Sequence, residues 1–566
     1  MNISNLHPTV VKLLDKRGYS GQEDIEKFFS WNLRDIPELT NMIDMDKARD
    51  RIIHALDNKE TIGIYGDYDV DGTTSCALFY HYFKMLGVEV KLFQPSRFVE
   101  GYGVHPVSID NALEEGVQLL ITVDCGITNL ETADYANEKG LDLIITDHHK
   151  DAREHIPKAH SVINPNRRDE TESKLKSLAG VGVAFAVCLS IKNKLDARGE
   201  NTPSIYSLLQ FVSIGTICDM AKLEPTNIRL TRHGLKQIKE TEYFGVRAFF
   251  NDEDRSYEVM PSEKISFYVG PLINSKGRLD HPDKALKLLI SDNHKDAFEN
   301  YSQLEISNRE RKIIQGTVFK EAKDKVIKDI KSDDQLCSIV YDENWHEGVI
   351  GIVASKLVES FEVPAIVFTN AEEKGVIKAS ARSAGDLNLY ELLKSCSDLF
   401  LRFGGHKAAA GLSMNQDNFV EFKKRMNALL SDIPEIQRTV QHQYDLNLNF
   451  KDINRKLVKE LEVMEPFGMG NSKPVFKMSD AKIDSYTILK DIHVKWVFVD
   501  KNNPKNKIQG ISFSFIGKWN TLLPDDLFNI QEQEGLDIFF TLGVNRFRGN
   551  ETIQLMVNKV VPGGQA

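Results

Sequence analysis

Three aspartates lie within five positions of the stretch IYGDYDVDGTTS (64–75): Asp67, Asp69 and Asp71. They follow an apolar run and precede a stretch of helical character. Carboxylates this close repel one another unless a cation neutralises them, and clustered acidic oxygens are the ligands that hard divalent cations prefer. The stretch therefore indicates a candidate metal site. A turn into the following helix explains Asp71, which precedes Gly72, at least as well as metal binding does.

Two later apolar runs end in similar chemistry. VQLLITV and LDLIIT are followed by carboxylate or imidazole side chains, namely Asp124 after the first and Asp147, His148 and His149 after the second. Asp219 closes another apolar stretch, FVSIGTICDMAKL. Ligands of an open parallel sheet bind beyond the carboxyl ends of its strands. If these strands are parallel neighbours, we expect their terminal acids and histidines to meet at one place.

Several carboxylates and one or two imidazoles in one pocket are typical of a divalent-metal site. Carboxylate-rich ligand sets suit Mg²⁺ or Mn²⁺, and an imidazole shifts the preference toward Mn²⁺. Two ions about 4 Å apart can share bridging carboxylates and activate a water for in-line attack on phosphorus. Asp147 is as well suited to orienting His148 as to binding metal. The pattern therefore favours two-metal phosphoester hydrolysis.

The elements that must position these residues alternate along the first half of the chain. The strand candidates are short, apolar and rich in β-branched residues: TIGIYG (61–66), VEVKLF (88–93), VQLLITV (117–123) and LDLIIT (141–146). Helical stretches lie between them, for example residues 73–87 and 129–140. Such alternation predicts a doubly wound parallel sheet.

The second half of the chain changes character twice. Residues 284–332 are rich in Lys, Glu and Gln and predict a long helical connector. A second α/β unit follows, over roughly 335–430. Alternating strands such as HVKWVFVD (493–500) then predict a small β-barrel or sandwich. Most of its aromatics, Trp496, Phe498, Phe513 and Phe515, are expected in the core, with a few exposed for base stacking.

Composition narrows the class of protein. Hydrophobic residues make up 41% of the chain and charged residues 27%. The net charge is −11, which argues against binding of nucleic acid over the whole protein surface. There is no apolar run near 18 residues and no apolar signal core at the start. The six cysteines are spread singly, as expected for buried thiols in a reducing compartment. We therefore expect a cytoplasmic protein that does not enter a membrane.

The motifs resemble those of a known family. GDYDVDG, VDCGI, TDHH and CDMAKL resemble, in order, the four motifs of the DHH phosphoesterase family. WHEGVIGIVASKL, KASARS and FGGHKAAAGLS resemble the domain that accompanies DHH catalytic domains, and PFGMGNSKPVF also matches. The resemblance implies a multidomain α/β protein with a doubly wound parallel-sheet DHH domain, a long helical connector, a second α/β (DHH-associated) domain and a C-terminal OB-like β-barrel. The expected boundaries are 1–45 for a leader, 46–283, 284–332, 333–430 and 431–566.

The resemblance also implies the roles of the site residues. It implies five metal ligands for two Mn²⁺ or Mg²⁺ ions, Asp67, Asp69, Asp124, His148 and Asp219, with His148, His149 and Asp69 as the catalytic residues. Tyr65 precedes the first motif where some relatives have His.

Residues with phosphate-binding chemistry lie elsewhere. Arginine pairs bidentately with phosphate oxygens, and glycine lets the backbone approach a ligand closely. The candidates are Arg97, Arg278, Ser380, Arg382, Ser383, Gly404, Gly405 and His406. Solvated surface arginines and tight packing at the glycines are the competing explanations.

The function that the resemblance implies is a single-stranded-DNA-specific 5′→3′ exonuclease that releases 5′-mononucleotides in DNA repair and recombination. The expected partners are single-stranded DNA, a single-strand-binding protein and a helicase, and the expected state is a monomer. The alternatives are a DHH-type oligoribonuclease or cyclic-dinucleotide phosphodiesterase, which needs only the first two domains, and a catalytically silent replication scaffold. The metal chemistry is expected to lie wholly in the first domain, so that deletion of 441–566 would spare it.

Overall fold

The computed structural model describes residues 3–95, 103–150, 155–276, 283–332, 336–441, 443–513, 515, 529–532, 535–547 and 550–563. The chain divides into two compact units. The first contains Met1–Asn5, Tyr19–Arg309 and Val463–Lys473, and the second contains Leu6–Gly18, Glu310–Glu462 and Pro474–Ala566. Of the helices in the described part of the chain, none combines the length and the apolar character needed to cross a membrane.

The first unit is built around a five-stranded parallel sheet, as the sequence predicts. The strands are short and apolar, and the central ones are buried: β1 (Ile62–Gly66), β2 (Val90–Phe93), β3 (Leu119–Val123), β4 (Asp142–Thr146) and β5 (Ser161–Ile163). Their order in the sheet is β2-β1-β3-β4-β5, and every pair is parallel. The carboxyl ends of β1, β3 and β4 are therefore neighbours along one edge.

Helices cover both faces of this sheet, because alternate strand side chains point to opposite sides. Ile64 and Ile121 belong to a core shared with α3 (Met45–Asn58), α4 (Val70–Met85), α7 (Gly180–Ala197) and α8 (Leu209–Cys218). Leu120 and Ile145 belong to a second core, shared with α5 (Pro106–Glu114) and α6 (Leu130–Lys139). The doubly wound architecture is confirmed.

Smaller helices complete the first unit. They are α2 (Gly21–Phe29), α9 (Pro225–Gln237), α10 (Phe244–Arg247), α11 (Ser262–Lys264), α12 (Gly270–Lys276) and α13 (Asp283–Leu289). A turn of π-helix, Ile265–Val269, joins α11 to α12. The predicted connector is mainly one helix, α14 (His294–Ser332), which begins in the first unit and continues into the second.

The second unit contains a mixed sheet and a barrel. The sheet strands are β6 (Ser338–Tyr341), β7 (Ala365–Asn370), β8 (Val376–Arg382), β9 (Phe400–Gly405) and β10 (Ala409–Asn415), in the order β6-β7-β8-β10-β9. Its helices are α1 (Pro8–Lys16), α15 (Glu347–Phe361), α16 (Leu389–Lys394), α17 (Phe419–Ser431), α18 (Glu435–Arg438) and α19 (Arg455–Glu462). The mixed sheet with α15, α16 and α17 is the expected second α/β domain.

The tail forms a barrel and not a sandwich. Its strands are β11 (Leu446–Asn447), β12 (Phe476–Leu489), β13 (His493–Asp500), β14 (Asn503–Ser512), β15 (Leu536–Phe547) and β16 (Asn550–Pro562). Five pairings close a ring of five strands: β12–β13, β13–β14, β14–β16, β16–β15 and β15–β12. Trp496, Phe498 and Phe515 are buried inside, whereas Phe513 is 56% exposed.

The two compact units combine segments that lie far apart in the chain. Residues 463–473 lie within the segment assigned to the tail but pack in the first unit. The proposed leader is also divided, because 6–18 belong to the second unit and 19–45 to the first. Long-range hydrogen bonds join these segments to their units: His7 N donates to Glu460 Oε2 (2.6 Å) in the second, and Ser262 Oγ donates to Glu465 Oε2 (2.6 Å) in the first. Local sequence patterns do not record such bonds.

Candidate metal centre and active site

The sheet brings the three strand-end acids together. Backbone pairing continues one residue past each strand: the N–H of Asp67 donates to Val123 O (3.4 Å), that of Asp124 to Thr146 O (3.0 Å) and that of Asp147 to Ile163 O (3.0 Å). The three residues therefore leave neighbouring strands at the same edge. All three are buried, with exposures of 0–3%.

Asp69 and Asp71 lie at the start of α4 but face different partners. Asp69 is the N-cap, and its Oδ1 accepts from the N–H groups of Asp71 (2.9 Å) and Gly72 (3.1 Å). Asp71 is 1% exposed. Its carboxylate accepts from Gly180 N (2.6 Å) and Val181 N (2.9 Å), the first residues of α7. Asp71 thus does more than turn the chain, because it ties α4 to α7.

Asp147 organises both histidines. Its Oδ1 accepts from the backbone N–H groups of His148 (2.7 Å) and His149 (3.0 Å), and it lies 2.8 Å from Nδ1 of His149. Asp147 Oδ2 accepts from Ile127 N (2.9 Å). The Asp147 side chain therefore orients the ring of His149 and fixes only the backbone of His148.

The ring of His148 points into the acidic cluster. Its Nε2 lies 3.2 Å from Asp124 Oδ1 and 3.8 Å from oxygens of both Asp71 and Asp219. Asp219 reaches this point from the C-terminal end of α8, which packs on α4. Asp219 is thus supplied by the end of a helix, while the other acids follow strands or start a helix.

Burial and mutual repulsion disturb the ionisation of the acids. Burial, together with the charges of Asp219 and Asp69, raises the pKa of Asp71 to about 7. Burial and the charge of Asp69 raise the pKa of Asp219 to about 7. Burial and the neighbouring carboxylates also raise the pKa of Asp124. Since a bound cation would relieve this repulsion, the electrostatics favour metal binding.

In His149, by contrast with the acids, the surroundings stabilise the charged form of the side chain. Burial alone would lower the pKa of its imidazole, but the hydrogen bond and charge of Asp147 outweigh burial and raise the pKa to about 9. Burial alone would raise the pKa of Asp147, but the hydrogen bonds and charge of His149 outweigh burial and lower it. At neutral pH the pair is therefore an imidazolium held by a carboxylate.

The ligand atoms are spaced as a metal centre requires. Three groups of side chains each bring their ligand atoms within 4.8 Å of one another: Asp67, Asp69 and Asp124; Asp124, His148 and His149; and Asp71, His148 and Asp219. Because Asp124 and His148 are each shared by two groups, the donors can surround two adjacent positions. Carboxylate oxygens with one or two imidazoles suit Mn²⁺ and Mg²⁺.

Some residues at this edge were not identified from the sequence. Asn164 and Asn166 follow β5 and donate to the carbonyls of His149 (2.9 Å) and His148 (2.7 Å). Gln94 follows β2 and donates to Asp67 O (2.9 Å). The signal that identified the acids, a polar residue just after an apolar strand, also marks INPN and LFQP. These residues fix the backbone of the candidate ligands.

The phosphate-contact candidates fall into two sets. Arg97 and Arg278 lie outside the described residues. In the second unit, β10 lies between β8 and β9, so that Gly411 is paired with both Ser380 and Gly404, and Ala410 is paired with Gly405. The structure thus brings Ser380, Arg382, Gly404, Gly405 and His406 to one three-stranded region.

The residues in that region differ in the contacts that they make within the protein. Arg382 donates to Ser380 Oγ (2.9 Å), and burial lowers the pKa of its guanidinium. Ser383 Oγ donates to Leu387 O (2.7 Å), which gives this hydroxyl a structural role. Among the described residues, no atom beyond the chain neighbours lies within 4 Å of the position where a Cβ on Gly404 would stand, so a ligand can approach the backbone there.

Comparison with known proteins gives a consistent family assignment. Three family models match: the DHH family N-terminal domain over residues 61–216, the DHHA1 domain over 333–432 and the RecJ OB domain over 444–559. The single-stranded-DNA-specific exonuclease RecJ of Haemophilus influenzae is 30% identical over 583 residues, covering 99% of this chain and 97% of the relative. The Escherichia coli protein of the same name is 30% identical over 576 residues, covering 99% and 96%.

Solved structures agree with this assignment. RecJ of Thermus thermophilus in complex with Mn²⁺ has a TM-score of 0.78 at 24% identity, covering 99% of this chain and 78% of that one, which shows the shared fold. An exonuclease RecJ bound to manganese is 30% identical, with a TM-score of 0.59, and covers 71% of this chain and 98% of that one. With near-complete coverage of curated relatives and three matching domain models in order, the chain belongs to the RecJ family of DHH-type single-stranded-DNA-specific exonucleases.

Proposed function

We propose that this chain is a single-stranded-DNA-specific exonuclease that hydrolyses DNA from the 5′ end and releases 5′-mononucleotides. The observation that carries the proposal is the cluster in which Asp124 and His148 are shared by neighbouring groups of ligand atoms. Membership of the family supports the substrate and the polarity.

The ligands of the proposed centre are five side chains: Asp67, Asp69, Asp124, His148 and Asp219. They would hold two ions of Mn²⁺ or Mg²⁺. Bound ions of this kind neutralise a phosphate and lower the pKa of water, which is the chemistry that phosphodiester hydrolysis needs. Solved RecJ relatives include complexes with Mn²⁺ and with Mg²⁺.

The chain's own residues contribute orientation and charge. Asp147 holds His149 as an imidazolium at neutral pH, since it raises the pKa of that ring to about 9. A positive ring beside the acidic cluster would attract the scissile phosphate and could return a proton to the departing 3′-oxygen. Asn164 and Asn166 hold the backbone of the two histidines through their carbonyls. His148, His149 and Asp69 are the proposed catalytic residues.

DNA contacts are assigned to three places. Arg97 and Arg278 would bind a 5′-phosphate. Ser380, Arg382, Gly404, Gly405 and His406 would bind backbone phosphates in the second unit, with Ser383 supporting their loop. The barrel would hold single-stranded DNA, as the match to the RecJ OB domain suggests.

Further proposals concern the protein partners, the oligomeric state and the cellular location of the enzyme. A single-strand-binding protein and a helicase are proposed as partners in DNA repair and recombination, because a nuclease of this specificity needs separated strands. A monomer is proposed because one chain carries all the candidate ligands. Six free cysteines support a cytoplasmic location.

The test uses single strands labelled at the 5′ or the 3′ end, incubated with the purified protein and Mn²⁺ or Mg²⁺. We expect the 5′ label to appear first as a mononucleotide, while the 3′ label shifts down a ladder of shortening strands. A preference for short RNA oligomers or cyclic dinucleotides would favour the alternative phosphodiesterase. No cleavage by folded protein would favour the silent scaffold.

Variants connect the activity to the site. Asp124→Asn and His148→Ala should each abolish cleavage while the fold is kept, because each removes a shared ligand. The matched control is Asp110→Asn, which changes an acid of α5 that bonds to Tyr135 and lies outside the cluster. Near wild-type rates in both site variants would contradict the assignment.

A further inference from the structure

The segment 463–473, with sequence VMEPFGMGNSK, has no role in the proposed chemistry. It follows α19 and precedes β12, both in the second unit, yet it packs in the first unit. Its sequence contains the motif PFGMGN. Its contacts show which part of the first unit it holds.

One set of contacts fixes the loop that follows Asp219. Met469 O accepts from the N–H of Leu223 (2.7 Å). A Cβ on Gly468 would lie 2.9 Å from Leu223 Cδ1, and a Cβ on Gly470 would lie 2.8 Å from Lys222 Cγ. Gly470 also has a φ of +83°, a conformation that favours glycine. Position 470 therefore favours glycine where the segment lies against the loop.

A second set of contacts fixes Ser262, at the start of α11. Glu465 Oε2 accepts from Ser262 Oγ (2.6 Å) and from Phe467 N (3.0 Å). The π-helical turn that follows α11 contacts the residue before Asp219, because Cys218 Sγ donates to Ile265 O (3.7 Å). The segment thus holds the structure on both sides of Asp219.

The segment is itself held in shape by buried polar groups. Asn471 is 2% exposed, and its Nδ2 donates to Met464 O (2.9 Å) and Pro466 O (2.8 Å). Arg232 is 1% exposed, and its Nε donates to Glu465 O (2.7 Å). Loss of the Asn471 side chain would leave two carbonyl groups without this donor and loosen the turn.

We propose that the segment 463–473 positions Asp219 for metal binding, with Asn471 and Glu465 as positioning residues. The proposal rests on the proposed function, because Asp219 is one of its five metal ligands. Residues that hydrogen-bond directly to a metal ligand commonly change metal affinity by about tenfold to a hundredfold when they are removed. The segment acts on Asp219 through the loop that follows it, so we expect an effect at or below the lower end of that range. A nuclease domain that ends near residue 283 would lack this support, so deletion of 441–566 would impair the metal centre as well as DNA binding.

The test measures Mn²⁺ binding directly, on the full-length protein without DNA, from the electron paramagnetic resonance signal of free Mn²⁺. We expect Asn471→Ala to weaken Mn²⁺ binding by several-fold, up to about tenfold. Raising the Mn²⁺ concentration should restore most of kcat, while KM for DNA stays near the wild-type value. Ser262→Ala is a milder second variant for use if Asn471→Ala does not fold, and it should weaken binding in the same direction.

The matched control is Asn427→Ala in the second unit. Asn427 Oδ1 accepts from Leu336 N (2.8 Å), so its loss also removes a structural side-chain hydrogen bond, but far along the chain from the loop of Asp219. This variant should bind Mn²⁺ as the wild type does. Unchanged Mn²⁺ binding in folded Asn471→Ala or Ser262→Ala would overturn the proposal. If Asp124→Asn also leaves Mn²⁺ binding unchanged, the metal centre itself is wrong.

Discussion

Replacement of Asp71 by alanine tests whether this acid ties two helices together. Its carboxylate accepts from the N–H groups of Gly180 (2.6 Å) and Val181 (2.9 Å) at the start of α7. Alanine would leave both donors buried without an acceptor. Each such group costs about 1–3 kcal/mol, so the free energy of unfolding of the first unit should fall by about 2–6 kcal/mol.

Two substitutions serve as comparisons. Asp71→Asn keeps one oxygen that can accept a bond, and it should cost about half as much. Asp69→Ala removes an acid two residues away that caps α4, and a lost N-cap costs about 1 kcal/mol. The expected order of destabilisation is therefore Asp71→Ala, then Asp71→Asn, then Asp69→Ala.

The assay is urea denaturation in the presence of EDTA, followed by hydrogen exchange measured by mass spectrometry. EDTA removes any contribution from bound metal. Peptides that contain Gly180 and Val181 should lose protection in Asp71→Ala and keep it in Asp69→Ala. Equal stability of Asp71→Ala and Asp69→Ala, or unchanged protection at the start of α7, would contradict a role for Asp71 in joining α4 to α7.

Other expected outcomes concern pH, the DNA end and the barrel. Because the pKa of Asp219 is raised from 3.8 to about 7, the folded metal-free protein binds more protons than the unfolded chain in that range. Its stability should therefore fall as the pH rises from about 4 to about 7; Mn²⁺ should restore it, and Asp219→Asn should show a flatter dependence in urea titrations. Arg97→Ala and Arg278→Ala should each cost about 1.5–3 kcal/mol more on a 5′-phosphate than on a 5′-hydroxyl substrate, measured as kcat/KM; equal losses would mean a general role. Trp496→Ala should destabilise the barrel by about 3–5 kcal/mol in thermal unfolding. Phe513→Ala should leave its stability nearly unchanged but weaken binding of long strands by about 1–3 kcal/mol, measured by fluorescence anisotropy.

Local sequence patterns are sufficient to predict the parallel sheet and most residues of the acidic cluster. The strands were recognisable because runs such as TIGIYG and VQLLITV are apolar and β-branched, as strands buried on both faces require. Asp67, Asp124 and His148 were recognisable because each follows such a run, and parallel strands end at a common edge. These signals are local, since each depends on neighbours in the chain.

The contacts between segments that are distant in the chain are seen only in the tertiary structure. The neighbouring residues of Asp71 indicate only a turn. Its carboxylate, however, accepts hydrogen bonds from the N–H groups of Gly180 and Val181, which lie 109 and 110 residues further along the chain. The alternating strands of the tail are compatible with a sandwich or a barrel, and only the pairing of β12 with β15 closes the barrel. Residues 463–473 lie within the segment that the sequence assigns to the tail, yet they pack in the first unit. Periodicity specifies which face of an element is buried, whereas the partner of that face depends on packing among elements that are distant in sequence.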